Sequence, residues 1–210
     1  MQIWLETTDI PLIEKAQRMG ILYGIMTTPA VLAPNPKEIL STLLSAQQGP
    51  VAIEVRTADQ AKALYNHSHR IMMKVPATEQ GWETMHILSK AQIPVIASAI
   101  FHPRQALIAA LAGANYVAPY FSRILKTGDN PLSQIEAIQK MAAHYQMKTK
   151  VMAIHPKTVE QIKSCAEIGI EAIALHDDVF KDLIETHELT AGAVEQFDDD
   201  WKKIESQGWF

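Results

Sequence analysis

The sequence predicts an α/β fold, a single (β/α)8 TIM barrel with an extra C-terminal helix. Three observations predict it: eight short apolar runs recur along the 210 residues, amphipathic stretches separate them, and helical sequence continues after the last run. Short runs that are apolar throughout are typical of strands buried on both faces, and their alternation with helices indicates a parallel sheet. Eight repeats match the number that closes a barrel. We place the barrel at residues 1–188 and the C-terminal helix and tail at 189–210.

The predicted strands follow one another at regular intervals, at residues 3–5, 22–25, 51–55, 71–75, 94–97, 116–118, 150–153 and 172–175. The clearest amphipathic stretches between them are residues 57–67, 78–91 and 131–144. A doubly wound open sheet is the competing fold, but it usually carries a glycine-rich phosphate turn after its first strand. Residues 6–9 here read Glu-Thr-Thr-Asp, so we prefer the barrel.

Helix boundaries are marked by capping chemistry. Thr57 and Thr158 are each followed three residues later by glutamine, a spacing that predicts capping boxes at two helix starts. Glycines fall where three helices are expected to end, at Gly20, Gly113 and Gly169.

Composition narrows the class of protein. The net charge is −4 with no run of lysine or arginine, which argues against nucleic acid as the main partner. No apolar stretch approaches the roughly 18 residues that span a bilayer, and the N-terminus lacks the pattern of a signal peptide. Cys165 is the only cysteine and lies in a helix-like run, so it is interpreted as a buried packing residue. A protein of the reducing cytoplasm, without membrane contact, is the simplest expectation.

Polar side chains come at the carboxyl end of each predicted strand, where the active sites of such barrels lie. They are Glu6, Thr27, Thr28, Glu54, Lys74, Ser98, Tyr120, Arg123, His155 and His176. Because the strand ends meet at one mouth of the barrel, these groups should converge, and scattered surface polarity would not follow the repeat. The pattern favours an active site.

Lys74 is the residue with the most specific chemistry. It lies near the end of an apolar run that Pro76 closes, so the strand should carry its amine into mostly apolar surroundings. Desolvation disfavours an ammonium ion, and a neutral amine can attack a carbonyl to form a Schiff base. A lysine that extends past the strand end into water is the alternative, and the segment alone does not exclude it.

The eight histidines do not form a metal motif. No H-x-x-x-H or H-E-x-x-H pair occurs, and the close pair His67 and His69 reads as two solvated residues at a helix-to-strand joint. We therefore predict no metal site and no cofactor.

The last helix carries an apolar stripe, formed by Val194, Phe197, Trp201 and Ile204 and followed by Trp209 and Phe210. Such a stripe can pack on its own barrel or on a neighbouring subunit, and the sequence leaves both open.

At several segments the chain resembles the transaldolase family, above all its small fructose-6-phosphate aldolase and transaldolase-like subgroup. Residues 71–76, an apolar run followed by Lys-Val-Pro, match the family's strand-four lysine motif. Residues 109–114 and 116–124 match its sixth repeat closely, whereas residues 27–29 and 197–201 match more loosely. The resemblance covers nearly the whole chain.

The resemblance implies a metal-independent class I aldolase in which Lys74 forms an iminium. An acid or amide on strand three, a hydroxyl on strand five and a tyrosine on strand six handle a catalytic water in the family, which implies these roles for Glu54, Ser98 and Tyr120. Arg123 matches its phosphate-binding arginine, and a guanidinium fork suits a phosphate. Tyrosine at position 120 is typical of the aldolases, while glutamate at position 54 is typical of the transaldolases.

Three positions depart from the family. Glu6 replaces the first-strand aspartate and adds a methylene, so it is expected to place substrate hydroxyls or to move a proton. Thr28, beside Thr27, replaces an asparagine that contacts the substrate, and a hydroxyl cannot supply an amide's separate donor and acceptor. His155 replaces a serine that helps to hold phosphate, a task that a charged His155 or Lys157 could take over.

The implied function is cleavage of a ketose phosphate such as fructose 6-phosphate to dihydroxyacetone and glyceraldehyde 3-phosphate. Transfer of the dihydroxyacetone unit between sugar phosphates, as in the pentose phosphate pathway, is the close alternative. The departures also leave open a sugar-phosphate-binding barrel with impaired catalysis, and an unrelated isomerase would use only the charge of Lys74. The family often forms rings of five subunits or pairs of rings, so a homo-oligomer, pentamer or decamer, is expected.

Overall fold

The computed structural model describes residues 1–208, and its centre is a closed barrel of eight parallel strands. Neighbours in the barrel follow sequence order, and β1 pairs with β8 to close it. This confirms the predicted (β/α)8 fold. Two aromatic residues of the predicted C-terminal stripe, Trp209 and Phe210, lie outside the described residues.

The strands are short and lie close to their predicted positions. In order they are β1 Gln2–Glu6, β2 Leu22–Met26, β3 Val51–Glu54, β4 Ile71–Pro76, β5 Val95–Ile100, β6 Tyr116–Pro119, β7 Lys150–Ile154 and β8 Ala172–Leu175.

Two of the connections carry two helices where the sequence predicts one, those after β2 and after β6. The helices before β6 are α1 Ile10–Arg18, α2 Pro29–Leu32, α3 Pro36–Ala46, α4 Ala58–His67, α5 Glu79–Lys90 and α6 Pro103–Leu111. Those that follow β6 are α7 Phe121–Lys126, α8 Pro131–His144, α9 Val159–Glu167, α10 Asp177–Leu183 and α11 Glu188–Glu205.

The predicted capping boxes are only half formed. Thr57 accepts a hydrogen bond from the Gln60 backbone N–H, but the Gln60 side chain accepts from Arg56, one residue before the cap. α9 repeats this arrangement. The complete capping box lies instead at the start of α6, between His102 and Gln105, because a histidine ring nitrogen can accept in place of a hydroxyl oxygen.

Each strand separates two cores, because successive side chains point to opposite faces. On β4, Ile71, Met73 and Val75 pack outward against the helices, while Met72 packs inside the barrel. Lys74 follows Met72 on the inner face, one step nearer to the carboxyl end of the strand. The same alternation places Glu54 above Ala52 and Ser98 above Ile96.

The opposite end of the barrel is filled by aromatic side chains. The ring of Trp4 lies 5.3 Å from that of Tyr23 and 6.1 Å from that of Tyr116. The Tyr116 hydroxyl donates a hydrogen bond of 2.7 Å to Gln2. The open mouth is therefore the one at the carboxyl ends of the strands.

The C-terminal helix α11 begins at Glu188 and has no buried side chain within its 18 residues. Val194 and Phe197 of the predicted stripe are 47% and 60% exposed. In the part of the chain that the structure describes, no helix combines the length and the apolar character that a membrane crossing needs.

Candidate active site

A cavity of about 470 Å³ opens at the carboxyl ends of the strands. It brings together eight of the eleven residues that the sequence analysis names as site candidates: Glu6, Thr28, Glu54, Lys74, Ser98, Tyr120, Arg123 and His155. Thr27 and Lys157 do not line it, and neither does His176.

Lys74, Glu54 and Ser98 form a connected group on three adjacent strands. Glu54 and Lys74 are direct partners across the β3–β4 pair, and Lys74 Nζ lies 3.5 Å from Glu54 Oε2. Ser98 Oγ donates a 3.2 Å hydrogen bond to the other carboxylate oxygen. Only 7% of the Lys74 side chain is exposed, so the alternative of a lysine extending into water does not hold. The amine therefore has a carboxylate beside it that can take up a proton.

Thr27 supports Lys74 through its backbone rather than contacting a substrate. Its carbonyl oxygen accepts a 2.8 Å hydrogen bond from Lys74 Nζ. Its side chain is fully buried, and Oγ1 donates to the Ala52 carbonyl at 2.7 Å. The predicted substrate contact of Thr27 is thus replaced by a positioning contact. The surroundings of Lys74 are also more polar than its apolar strand predicts.

A second connected group joins Glu6, His155 and His176. Glu6 Oε2 lies 3.0 Å from Nε2 of His155, and only 7% and 10% of the two side chains is exposed. The other ring nitrogen of His155, Nδ1, is in hydrogen-bond contact with Nε2 of His176. The chain of contacts leads from the buried carboxylate to the half-buried His176.

His155 reaches this position through an unusual backbone conformation. Met152 and Ile154 point into the barrel, so strict alternation would turn His155 outward. Its φ is +59°, in the left-handed region that non-glycine residues rarely adopt. This turn at the end of β7 brings the ring inward, and such local strain is common at functional sites.

The pKa values of the second group reflect burial and neighbouring charge. Burial raises the pKa of Glu6, but the hydrogen bond to His155 and the charges of His155, His176 and Lys74 outweigh it, so the pKa lies below 4.5. Burial is also the main cause that lowers the pKa of His176 below 6.5. His155 and Lys157 lower it further, whereas Glu6 and Asp178 raise it.

These three side chains are also of the types that bind zinc or iron, one carboxylate and two imidazoles. His155, however, presents opposite ring nitrogens to its two neighbours. Because the lone pairs of those nitrogens diverge, one ion cannot replace both contacts. The arrangement is a hydrogen-bonded chain.

Aromatic and cationic groups lie on the other side of His155. Its ring is stacked on Tyr120 with centroids 4.3 Å apart and an angle of 6° between the planes. The guanidinium of Arg123, from α7, lies 4.5 Å from the centre of the Tyr120 ring. Such stacking holds a guanidinium in place while leaving its N–H groups able to bind an anion.

The remaining predicted residues differ in whether they line the cavity, lie at the surface or are buried. Thr28 lines the cavity, and its hydroxyl also caps α2 by accepting from Val31 N–H at 3.4 Å. Lys157 is exposed on the loop after β7. Cys165 is fully buried, as predicted, and its burial raises its pKa to about 12.

Arg56 and Phe101 are among the cavity residues that were not predicted. Arg56 follows Glu54 by two residues, so extending the strand-end analysis by one alternation would have identified this second arginine. Phe101 comes directly after β5, and its ring is stacked with Tyr120 at 6.0 Å. Its apolar character gave no sign of a site residue.

The lowered pKa of His176 predicts that the stability of the fold depends on pH. A group whose pKa is lower in the folded state binds fewer protons there than in the unfolded chain, so stability is lost as pH falls. We expect the free energy of unfolding to fall as pH drops below 6.5, and His176→Gln to reduce this dependence. Urea unfolding at about pH 7.5, 6.5 and 5.5 would measure it.

His144→Gln is the matched control, because His144 is exposed at the far end of α8. An equal loss of stability with falling pH in wild type and His176→Gln would contradict the prediction. Glu6, whose pKa is also lowered, acts in the same direction but at lower pH, below 4.5.

Comparison with known proteins shows the family of the chain. A family model described as transaldolase/fructose-6-phosphate aldolase matches residues 3–208. A probable transaldolase of Nitrosopumilus maritimus is 30% identical over 217 aligned positions, covering 99% of this chain and 97% of that protein. A probable transaldolase of Coprothermobacter proteolyticus is 31% identical, covering 97% of this chain and 98% of that protein. The chain belongs to the transaldolase/fructose-6-phosphate aldolase family and is an enzyme of the class I aldolase or transaldolase type.

Proposed function

We propose that Lys74 attacks the carbonyl of a ketose phosphate and forms an iminium, which draws electrons from the adjacent carbon–carbon bond and allows its cleavage. The observation that carries this proposal is the buried amine of Lys74 in a cavity beside a carboxylate, with Nζ and Oε2 3.5 Å apart. Glu54, assisted by Ser98, takes the proton that the amine must lose before it attacks. Tyr120 shares proton transfer through a water molecule, and Glu6 acts on the substrate hydroxyl.

The substrate we propose is fructose 6-phosphate, which is cleaved to dihydroxyacetone and glyceraldehyde 3-phosphate. Tyr120 supports this reaction, and Arg123 supplies the cation for the phosphate. The second candidate is transfer of the dihydroxyacetone unit between sugar phosphates. Glu54 supports it, and so does the name, probable transaldolase, of both relatives. The two reactions differ in whether the three-carbon unit leaves after protonation or is passed to an aldose.

Borohydride reduction in the presence of dihydroxyacetone tests the covalent step. The expected result is a stable adduct that peptide mass spectrometry locates at Lys74. Release of glyceraldehyde 3-phosphate from fructose 6-phosphate, with and without erythrose 4-phosphate, then separates the reactions. Product formed without the acceptor supports the aldolase, whereas product formed only with it supports the transaldolase. Binding without an adduct would support a catalytically impaired sugar-phosphate-binding barrel.

We also propose that the enzyme is a cytoplasmic homo-oligomer. Val194 and Phe197 give α11 an exposed apolar stripe, which a second copy of the chain would cover. A pentamer or decamer, as the family resemblance implies, would be seen as a multiple of 23.4 kDa by light scattering. The single buried thiol, Cys165, is compatible with a reducing compartment.

The role of Arg123 is testable with two aldehydes that differ only in phosphate. In the synthetic direction, Arg123→Gln should lower kcat/KM for glyceraldehyde 3-phosphate by about 10²-fold, the effect of losing a charge-assisted hydrogen-bond pair. The rate with unphosphorylated glyceraldehyde should change little. Arg18→Gln, at the far end of α1, is the matched control. An equal loss with both aldehydes would show that Arg123 does not bind the phosphate.

A further inference from the structure

His176 lies outside the cavity, yet a line of contacts joins it to a carboxylate inside. Glu6 and His155 line the cavity and His176 does not. Nε2 of His176 contacts Nδ1 of His155, and Nε2 of His155 lies 3.0 Å from Glu6 Oε2. The steps proposed above give His176 no task. Any effect of His176 on the reaction therefore passes through His155.

The carboxylate at the end of this line determines where the ring protons lie. Glu6 is ionised near neutral pH, since its pKa lies below 4.5, so it can only accept hydrogen bonds. Nε2 of His155 therefore carries a proton and donates it to Glu6. Nδ1 of the neutral ring is left as an acceptor, so Nε2 of His176 also carries a proton and donates to it. Both hydrogen bonds run in one direction, from His176 through His155 to Glu6.

We propose that His176 is a positioning residue for the reaction: through His155 it holds the Glu6 carboxylate in place and ionised, ready to take the proton of the substrate hydroxyl. His176 touches neither the substrate nor the reacting atoms. This inference rests on the proposed function, in which Glu6 acts on that hydroxyl, and adds the groups that prepare Glu6 for it.

His155 needs a second partner because a neutral imidazole can carry its proton on either nitrogen. With the proton on Nδ1, His155 would present a lone pair to the carboxylate and repel it. The N–H of His176 excludes that tautomer, because two N–H groups cannot form a hydrogen bond with each other. The plane of the ring is fixed as well, by stacking on Tyr120 at 4.3 Å and by the φ of +59° that turns His155 inward.

Glu6 depends on this donor because its surroundings disfavour a charge. Only 7% of its side chain is exposed, and burial alone would raise its pKa. The hydrogen bond from His155 and the charges of His155, His176 and Lys74 outweigh burial. His155 makes its contact at Oε2, which leaves the second carboxylate oxygen, Oε1, for the substrate.

The cleavage cycle uses one proton, which Glu6 takes and later returns. The substrate hydroxyl gives this proton to Glu6, while the electron pair of the breaking carbon–carbon bond moves into the Lys74 iminium. The products of this step are an enamine and an aldehyde. Glu6 then gives the same proton to the enamine carbon, which forms the iminium of the three-carbon product. His155 and His176 keep their own protons throughout.

The groups around His176 keep its ring neutral near pH 7. Burial is the main cause that lowers its pKa, and His155 and Lys157 lower it further, whereas Glu6 and Asp178 raise it. Protonation at lower pH adds a proton at Nδ1 and leaves the Nε2 donor in place. The hydrogen bond to His155 therefore persists whichever form His176 takes.

Two substitutions separate the hydrogen bond of His176 from its bulk. His176→Leu removes the donor, and we expect kcat/KM for fructose 6-phosphate to fall by about 10-fold at about pH 7.5, mainly through kcat. The amide nitrogen of glutamine can replace Nε2 as a donor, so His176→Gln should stay within about threefold of wild type. Neither change removes a helix cap, because the His176 side chain makes no hydrogen bond to the start of α10. His144→Leu, at an exposed position of α8, is the matched control.

The pH profile distinguishes this role from a structural one. The ratio of kcat/KM in wild type to that in His176→Leu should grow as pH falls from about 8 to about 5, because a carboxylate without its donor is protonated at higher pH. Titration of Lys74 and Glu54 is common to both enzymes and cancels in the ratio. A change in stability would give the opposite trend, since wild type has the histidine whose titration destabilises the fold at low pH and the variant lacks it.

Glu6→Gln identifies the path of the effect. In this background His176→Leu should change the residual kcat/KM by less than about twofold, because the group on which it acts is gone. An equal loss with and without Glu6 would overturn the inference. So would an equal loss in His176→Gln and His176→Leu, or wild-type rates in His176→Leu at every pH. His176→Ala provides the same comparison if the leucine variant does not fold.

The borohydride adduct keeps this inference separate from the proposed function. All His176 variants should still form the adduct at Lys74, because Glu6 acts after the iminium has formed. If wild type forms the adduct and His176→Leu turns over normally, only this inference fails. If wild type shows neither adduct nor turnover, the proposed function fails and the inference fails with it.

Discussion

Replacing Lys74 with methionine is expected to lower kcat/KM for fructose 6-phosphate cleavage by about 10⁴-fold or more, because Lys74 is the only lysine among the described residues that line the cavity. Methionine has nearly the shape of lysine and fits the inner face of β4, where Met72 already packs. The barrel should therefore fold. The variant removes the amine from the contacts with Glu54 and Thr27 and leaves the rest of the cavity in place.

The measurement is the initial rate of glyceraldehyde 3-phosphate release, with the borohydride adduct followed by mass spectrometry. Lys90→Met is the matched control, because Lys90 is exposed at the last position of α5, at the closed end of the barrel. Wild type and the control should both gain the mass of reduced dihydroxyacetone, and Lys74→Met should not. An adduct that persists in Lys74→Met would place the nucleophile elsewhere.

The barrel and the convergence of its polar residues were predictable because they depend on local patterns. Short apolar runs determine the strands, and parallel strands bring their carboxyl ends together. Side-chain alternation then determines which residues enter the cavity, so Glu54, Lys74 and Ser98 could be placed from sequence alone. Each lies two residues beyond an apolar residue of the inner core.

The second group could not be predicted because it depends on a break in that alternation. His155 enters the cavity only through its left-handed φ, which no local sequence pattern indicates. Its partners lie on β1 and after β8, so closure of the barrel brings them together rather than spacing along the chain. Thr27, in contrast, obeys the alternation: it follows Met26, which points into the barrel, so its side chain turns away from the cavity and bonds to the neighbouring strand.

In the mechanism we propose, the two groups divide the proton chemistry of the site. Glu54 and Ser98 lie beside the amine, so they are assigned the proton transfers of iminium formation and hydrolysis: loss of the amine proton, and loss and gain of water at the adjacent carbon. Glu6 is bound to His155 rather than to Lys74, so it is free to act on the substrate hydroxyl. The side chain of glutamate is one methylene longer than that of aspartate, and this length lets the Glu6 carboxylate reach Nε2 of His155. The departures at positions 6 and 155 are therefore linked.

Replacing Glu54 with leucine is the substitution with the second-largest expected effect. We expect kcat/KM to fall by about 10³-fold, the middle of the range for loss of a general acid–base group. Leucine removes the only carboxylate that the described residues place in salt-bridge contact with Lys74 Nζ, so both loss of the amine proton and loss of water from the carbinolamine carbon should slow. The rate of adduct formation with dihydroxyacetone, measured by timed borohydride quenching, should fall with turnover.

Glu54→Gln and Ser98→Ala resolve what the carboxylate contributes. Glutamine keeps an oxygen that accepts from Ser98 and can order a water, but it cannot take up a proton, so its activity should lie between wild type and leucine. Ser98→Ala removes one 3.2 Å hydrogen bond to Glu54 and should cost about 10-fold or less. If Glu54→Leu forms the adduct at the wild-type rate, the amine must lose its proton to another group. Glu6 is then the remaining cavity carboxylate, and its replacement in the same assay would identify it.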